Sequence, residues 1–442
     1  FYMNNKKWMA ILLGGIMAAS LAAPCSVSAA EKTTLTFWHA MGGTNGEVLQ
    51  QIVDDFNASQ DEIEIKAEYQ GTYDDTITKL KAAMQSDSGL PDVCQMYDVG
   101  TKFMYDSGAV IPVEDKFEST GYDKSSVMEV ISSYYTVDGK QYAMPFNVST
   151  PMLYYNKDVF EAAGLDPETP PTTYDEVLED AKKIVESGAA PVGYSQAIYG
   201  WFFEQQLAGL GVTYGNNDNG RKEAVTAVDF DSNGGGLKVF DMWKKLYDSG
   251  YFEDYGTTTA DTQTAFFSGQ VGMIIESTAI LKNAVDSSPF EVGTGYLPRI
   301  EQNDEGGVII GGGSLWLTDT GNEANEDAAW KFIEYITTPD VQAKWSMGTG
   351  YFAINEKAYE TEDMKAYLKE NPNFETAINQ LKDSPVNCNT AGVLSGVQTE
   401  ARLTFNEIMP QVYDGKLTTQ DAVDQLAASV NKAIENYNES IK

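Results

Sequence analysis

The chain is poor in histidine, cysteine and positive charge. Its 442 residues include one histidine, His39, and three cysteines. A single imidazole leaves no multi-histidine metal site and sets Ser-His-Asp chemistry aside; a lone His after a strand is ordinarily structural. Cys94 and Cys388 have no second cysteine nearby, so zinc motifs are absent. Two cysteines in a large chain make no disulfide framework, and both are expected to be free thiols, Cys94 within an apolar strand. Lys and Arg number 30 against 65 Asp and Glu, a formal charge of −35. That balance excludes nucleic acid and anionic membrane as partners. It also obliges any anionic ligand to be held by local groups against a repulsive field. With so many carboxylates, adjacency of two in sequence says nothing about catalysis. Gly and Pro are scattered, and no repeat of about 20–50 residues is present. No stretch beyond residue 30 is long and apolar enough to span a bilayer.

What the sequence does have begins with a leader. Lys6-Lys7 precede an uncharged, largely apolar run from Trp8 to Ala23, and Val27-Ser28-Ala29-Ala30 offers small residues for a signal peptidase. Residues 1–30 are therefore expected to be a secretory signal peptide. Export to the periplasm is the expected location, with a lipid anchor on Cys25 as the alternative; Pro24 before it fits a lipoprotein signal poorly. Loss of Lys6 and Lys7 takes the formal charge to −37. The remaining chain of about 410 residues is too long for one ordinary core, so two lobes are expected.

Strand and helix alternate after the leader. Leu35 and Phe37 alternate with threonines as in a strand, Thr44 with Glu47 reads as a capping box, and Val48, Ile52, Val53 and Phe56 form a helical stripe. Ile63–Ala67 alternates again, a helix is expected over about 74–85, and Val93–Tyr97 returns to strand. This order predicts an α/β fold with parallel strands and crossover helices. A second unit follows Pro145: a strand over 152–155, a helix over 156–163, then Thr173 with Glu176 capping a helix that carries Val177, Leu178, Ala181 and Ile184. Ligands in open α/β sheets sit beyond the carboxyl ends of strands. That directs attention to Trp38-His39, Tyr97-Asp98, Phe146–Ser149 and Gly311–Ser314. The last follows Val308–Ile310, expected as a strand, and lacks the Lys of a P-loop; a tight turn is the simpler reading. Trp201 and Tyr351 stand beside glycines, where an aromatic either lines a polar-ligand cleft or packs in the core.

Taken together, Phe37–Gly43, Pro145-Phe146-Asn147-Val148-Ser149-Thr150-Pro151, Leu153–Asp158, Ile309–Trp316 and Thr349-Gly350-Tyr351 resemble the extracellular solute-binding proteins of ABC importers. The resemblance is to the maltose-binding-protein-like group, and within it to the branch that binds sn-glycerol-3-phosphate. It implies a two-lobe, type II periplasmic-binding fold with a hinge and an interlobe cleft. One lobe would comprise 31–144 plus 299–348 and the other 148–297 plus 351–442, with crossings near Pro145, Pro298 and Gly350. Carried over position by position, the pocket would comprise Tyr73, Asp98, Ser149, Trp201, Ser277, Gly313, Tyr351 and Arg402. Asp98 stands where the branch has a longer glutamate. Arg402 would offer its fork to phosphate, Asp98 would take glycerol hydroxyls, and Trp201 would cover the carbon chain. No enzyme activity, cofactor or metal is implied. The partners would be a small solute and the membrane subunits of a permease, with the protein itself a monomer. A neutral sugar or oligosaccharide in the same fold is the main alternative. A secreted polysaccharide hydrolase would need a second carboxylate facing Asp98, and a purely structural surface protein would bind nothing.

Overall fold

The computed structural model describes residues 32–86 and 89–441. The expected signal peptide and Cys25 lie outside the described residues. Two sheets organise the chain. The first begins with β1 (Thr33–His39), crosses through helix α1 (Gly43–Ser59) to β2 (Ile63–Tyr69), and returns through α2 (Tyr73–Met84) to β3 (Val93–Tyr97). Both β2 and β3 pair with β1 in parallel, as the alternation of strand and helix requires. β4 (Val110–Ile111) and β5 (Met144–Ser149) lie further along the same sheet.

The chain then leaves this sheet at Thr150. β6 (Pro151–Asn156), β7 (Val192–Ser195), β8 (Val271–Ser277) and β9 (Val292–Gly295) form a second sheet in the order β9-β6-β8-β7. Helix α3 (Tyr174–Ser187) packs on it through Val177, Ala181 and Ile184, and its capping box is the Thr173–Glu176 pair read from the sequence. β10 (Gly311–Thr318) brings the chain back into the first sheet, antiparallel between β3 and β4 and also paired with β5. A last bridge joins Phe352 to Val148. Helices α4 (Gly200–Gly209), α5 (Gln398–Tyr413) and α6 (Thr419–Ser440) pack on one another beside the second sheet. No helix among the described residues is long and apolar enough to cross a membrane.

Several local expectations are corrected. α1 starts two residues earlier than a Thr44 cap requires, with Gly42 at the cap and no side-chain capping bond, so the Thr44–Glu47 box does not form. A different box, Thr72 with Asp75, starts α2. Trp38 and His39 lie within β1, not beyond it. Most consequential, Val308–Ile310 is not a strand, and Gly311-Gly312-Gly313-Ser314 is not a turn but the first half of β10. The reason is close approach. A Cβ on Gly311 would lie 2.7 Å from the Trp201 ring, and one on Gly312, whose φ is +97°, would lie 1.8 Å from the Asn147 carbonyl. Glycine lets this strand pass between an indole and a neighbouring backbone. Cys94 and Cys388 are both free, the former fully buried.

Candidate ligand-binding site

Where the two sheets face each other, β3, β5 and β10 meet α4 and α5. Asp98 follows β3 directly, in a one-turn 3-10 segment. Glu204 is one turn beyond Trp201 on α4, and Arg402 is one turn beyond Gln398 on α5. Arg402 Nε donates to Glu204 Oε1 at 2.8 Å, and Nη2 donates to Glu204 Oε2 at 2.7 Å and to Asp98 Oδ2 at 3.0 Å. All three side chains are buried. Burial works against the guanidinium charge, but Asp98 and then Glu204 outweigh it and raise the Arg402 pKa. Burial lifts the Glu204 carboxyl above its ordinary range while Arg402 pulls it back. Gln398 Nε2 donates a further bond to Glu204 Oε1 at 3.0 Å.

Two buried polar atoms here have no partner, the Trp201 Nε1–H donor and the Gln398 Oε1 acceptor. Buried polar groups are nearly always satisfied, so two free ones flanking an ion cluster make this a candidate place for an outside molecule to complete the bonding. The Tyr199 ring adds a face, with Arg402 6.0 Å from its centroid and Trp201 at 6.1 Å.

The other end of the site is neutral. Gln95 Nε2 donates to Asn147 Oδ1 at 2.6 Å, and Asn147 Nδ2 donates to the Tyr73 hydroxyl at 2.7 Å. Tyr73 stacks on Tyr97 with centroids 5.2 Å apart, and the Tyr351 phenol faces Asn147 and Tyr73. Tyr351 is itself stacked on Trp345. Gly313 lies opposite both Tyr97 and Asn147 in the sheet, and Ser149 opposite Gly311.

Seven of the eight residues carried over from the resemblance thus border one region. Ser277 differs. It ends β8, and its hydroxyl accepts from the Ala279 N–H at 3.1 Å in a local turn, with the O–H still able to donate. Beside it Glu276 is buried, with a pKa pushed up to about 7 by desolvation, and it lies within electrostatic reach of Tyr199. The expected roles of Arg402 and Asp98 also change: they bond to each other, and Glu204 takes the edge of the fork meant for phosphate. Sequence reasoning missed Glu204, Gln398 and Tyr199, and took Asn147 only as part of the Phe146–Ser149 segment. The signal lay in spacing, since 201/204 and 398/402 are neighbours on one helix face. His39 is buried and neutral, its pKa lowered to about 4 by desolvation, and Nδ1 accepts from the Met41 N–H.

A second cation lies close by. Arg221 donates through Nε to the Gly392 carbonyl at 3.0 Å, through Nη1 to the Tyr134 carbonyl at 2.8 Å, and through Nη2 to the Ala391 carbonyl. All three of its nitrogens are engaged by backbone. A cavity of about 680 Å³ lies elsewhere, beneath the segment 296–308 and bounded by Tyr155, Pro170, Leu297 and Gln380; none of the eight residues lines it.

Comparison with known proteins gives the family. Residues 51–376 match the bacterial extracellular solute-binding proteins. The sn-glycerol-3-phosphate-binding periplasmic protein UgpB of Escherichia coli (strain K12) is 31% identical over 417 residues, covering 93% of this chain and 94% of that protein. Among solved structures, UgpB from Mycobacterium tuberculosis in complex with glycerophosphocholine superposes with a TM-score of 0.78 at 20% identity. The match covers 92% of this chain and 99% of that one. The cyclic α-maltosyl-1,6-maltose binding protein from Arthrobacter globiformis superposes with a TM-score of 0.76 at 26% identity, over 92% and 100%. These likenesses fix the two-lobe architecture as that of maltose-binding-protein-like periplasmic binding proteins. This chain belongs to the bacterial extracellular solute-binding proteins.

Proposed function

We propose that this protein is the binding component of an ABC importer for glycerol-phosphate compounds, carrying them to membrane permease subunits outside the cytoplasm. The observation that carries this reading is the chain-long identity of 31% to a glycerol-3-phosphate-binding protein. It is supported by a cluster of buried polar groups between α4, α5 and the end of β3, with unpartnered atoms on Trp201 and Gln398. Tyr73, Asp98, Ser149, Trp201, Gly313, Tyr351 and Arg402 border the ligand in this reading, and Ser277 shapes the turn beside it. In this reading the protein binds its ligand without turning it over, in keeping with its membership of the extracellular solute-binding proteins. The ligand closes the lobes by hinge motion, and the closed form is what the permease receives.

A neutral oligosaccharide is the second reading. It is favoured by the Tyr199 and Trp201 faces and by the maltosyl ligand of the 26% identical structure. Isothermal titration of ligand-stripped protein with sn-glycerol-3-phosphate, glycerophosphocholine and maltose separates the two. A phosphate compound binding near micromolar, about −8 kcal/mol, is expected; binding of maltose alone replaces the first reading with the second.

A further inference from the structure

We propose that the cavity beneath the segment 296–308 is a second ligand site, separate from the cleft, for a compact apolar molecule carrying one anionic head group. It stands on the walls of that cavity alone and holds whatever the cleft binds.

The cavity exists because its roof is pinned and cannot settle. The segment 296–308 leaves β9 and runs back towards β10. Near its start the Leu297 N–H donates to Gln380 Oε1, the Arg299 N–H donates to the Thr172 carbonyl at 2.9 Å, and the Arg299 carbonyl accepts from the Tyr174 N–H at 2.9 Å. Near its end the Gly306 and Gly307 N–H groups donate to the Gly209 and Ala208 carbonyls at 3.1 and 3.3 Å, and the Val308 N–H to Ser384 Oγ at 3.1 Å. Held at both ends, the roof leaves about 680 Å³ beneath it. Small-molecule sites commonly have about 300–1,000 Å³.

The walls favour an apolar body. Pro170, Pro171, Leu297, Pro298, Ile300 and Val308 line it with side chains that neither donate nor accept. Most polar side chains there are already bonded within the protein. Gln206 lies between Tyr174 and Trp243, Gln380 between Leu297 and the Pro151 carbonyl, and the Tyr155 hydroxyl donates to the Pro167 carbonyl. An apolar guest gains by leaving water, whereas a strongly polar one finds few groups free to replace its hydration.

The charges place the head group. Four charged side chains line the cavity: Lys157, Glu168, Arg299 and Asp383. Lys157 is paired with Glu168 and Glu291, and Asp383 accepts from the Tyr296 hydroxyl at 2.7 Å. Arg299 is left. Of the three arginines in the chain, Arg221 and Arg402 donate inside the protein, but the exposed guanidinium of Arg299 has no hydrogen-bond or ion-pair partner among the described residues. Asp304 is within its electrostatic reach, yet that carboxylate accepts from the Glu301 N–H. A guanidinium on a backbone fixed from both sides offers a planar fork to a carboxylate or sulfonate at the rim.

The test is fluorescence titration with 8-anilinonaphthalene-1-sulfonate, an aromatic anion, followed by competition with octanoate, 1-octanol and glycerophosphocholine. Wild type is expected to bind one equivalent of dye saturably, and octanoate to displace it about threefold or more better than 1-octanol, as one ion pair at an exposed rim allows. Glycerophosphocholine is expected to leave the dye in place. Arg299→Gln should weaken dye and octanoate by that same factor and leave 1-octanol unchanged. Thr376→Trp, which enlarges a wall residue whose hydroxyl has no hydrogen-bond partner, should abolish dye binding. Unsaturable dye binding overturns the proposal, as does displacement by glycerophosphocholine, which puts the dye in the cleft. So does full dye binding by folded Thr376→Trp. 1-Octanol competing as well as octanoate overturns the anionic head group. The wild-type competitions need no variant, so they decide even where a substitution prevents folding, and none of these outcomes alters the reading of the cleft.

Discussion

The two ends of the cleft are built on opposite plans. At the Tyr73 end, Gln95, Asn147 and Tyr73 form a relay of neutral groups in which each named contact is already made inside the protein. At the Arg402 end, full charges are buried together, and two polar atoms beside them are left open. A satisfied neutral relay fixes shape, because moving any member breaks a bond without offering another. A charged cluster with open valences discriminates by chemistry instead, since a ligand there must complete the bonding or bear the cost of desolvation. In the proposed reading, the neutral end would position the ligand and the charged end would select it.

The strongest way to break the contrast is Arg402→Ala. It leaves Asp98 and Glu204 buried side by side without a cation, and a loss of about 3–5 kcal/mol is expected in urea denaturation, with ligand binding abolished. Pairing Arg402→Met with Glu204→Gln should cost less than Arg402→Ala alone, because the second change removes one of the two orphaned charges. A larger cost for the double variant would show that the ions contribute net stability.

Next comes Glu276, the third carboxylate near the charged end. In the folded chain it holds its proton up to about 7, against an ordinary 4.5. Between those limits the native state binds more protons than the unfolded chain, so this group's effect on stability worsens as pH rises and levels off above about 7. Glu276→Gln should therefore stabilise by about 3 kcal/mol more at pH 8 than at pH 4.5, since each tenfold change in proton affinity corresponds to about 1.4 kcal/mol. Denaturation curves of both proteins across that range check it, and parallel pH profiles would remove the buried-acid account.

At the neutral end the effects shrink. Asn147→Ala strands the Gln95 amide and frees Tyr73, at a cost of about 1–3 kcal/mol. It should lower affinity for glycerophosphocholine and sn-glycerol-3-phosphate by the same factor, since this end is assigned no selection. Unequal losses would erase the division of labour. A similar cost is expected from Gly311→Ala, about 1–3 kcal/mol of overpacking, because the added methyl would lie 2.7 Å from the buried Trp201 ring. Loss of indole fluorescence change on ligand addition would accompany it.

Much of this is legible in the sequence. The β1-α1-β2-α2-β3 order follows from alternating and helical periodicities that each segment satisfies alone, and the Thr173–Glu176 box is a local bond. Arg402 and Trp201 are placed by resemblance, and both are buried on the neighbouring helices α5 and α4. What escapes depends on contacts distant in sequence. The glycine run reads as a turn by local chemistry, and only Trp201 and Asn147, brought from elsewhere in the chain, make it a strand. Glu204 reads as one more solvated carboxylate among many; its importance comes from a partner 198 residues away. Ser277 matches by position, but its hydroxyl answers to its own turn.

Gly200 carries a further consequence. A Cβ there would lie 2.5 Å from Arg402 Cα, and its N–H donates to Asn406 Oδ1, so α4 and α5 touch backbone to backbone. With no side chain between them to flex, Trp201, Glu204, Gln398 and Arg402 travel as one jaw. Asp98 and Tyr97 ride on β3 as part of the other, meeting it through Arg402 and Thr399. In the proposed reading, a molecule between the jaws would be gauged by a single gap width instead of by many independent contacts. One extra carbon between head group and glycerol would loosen every bond across the gap together, giving this protein the behaviour of a caliper.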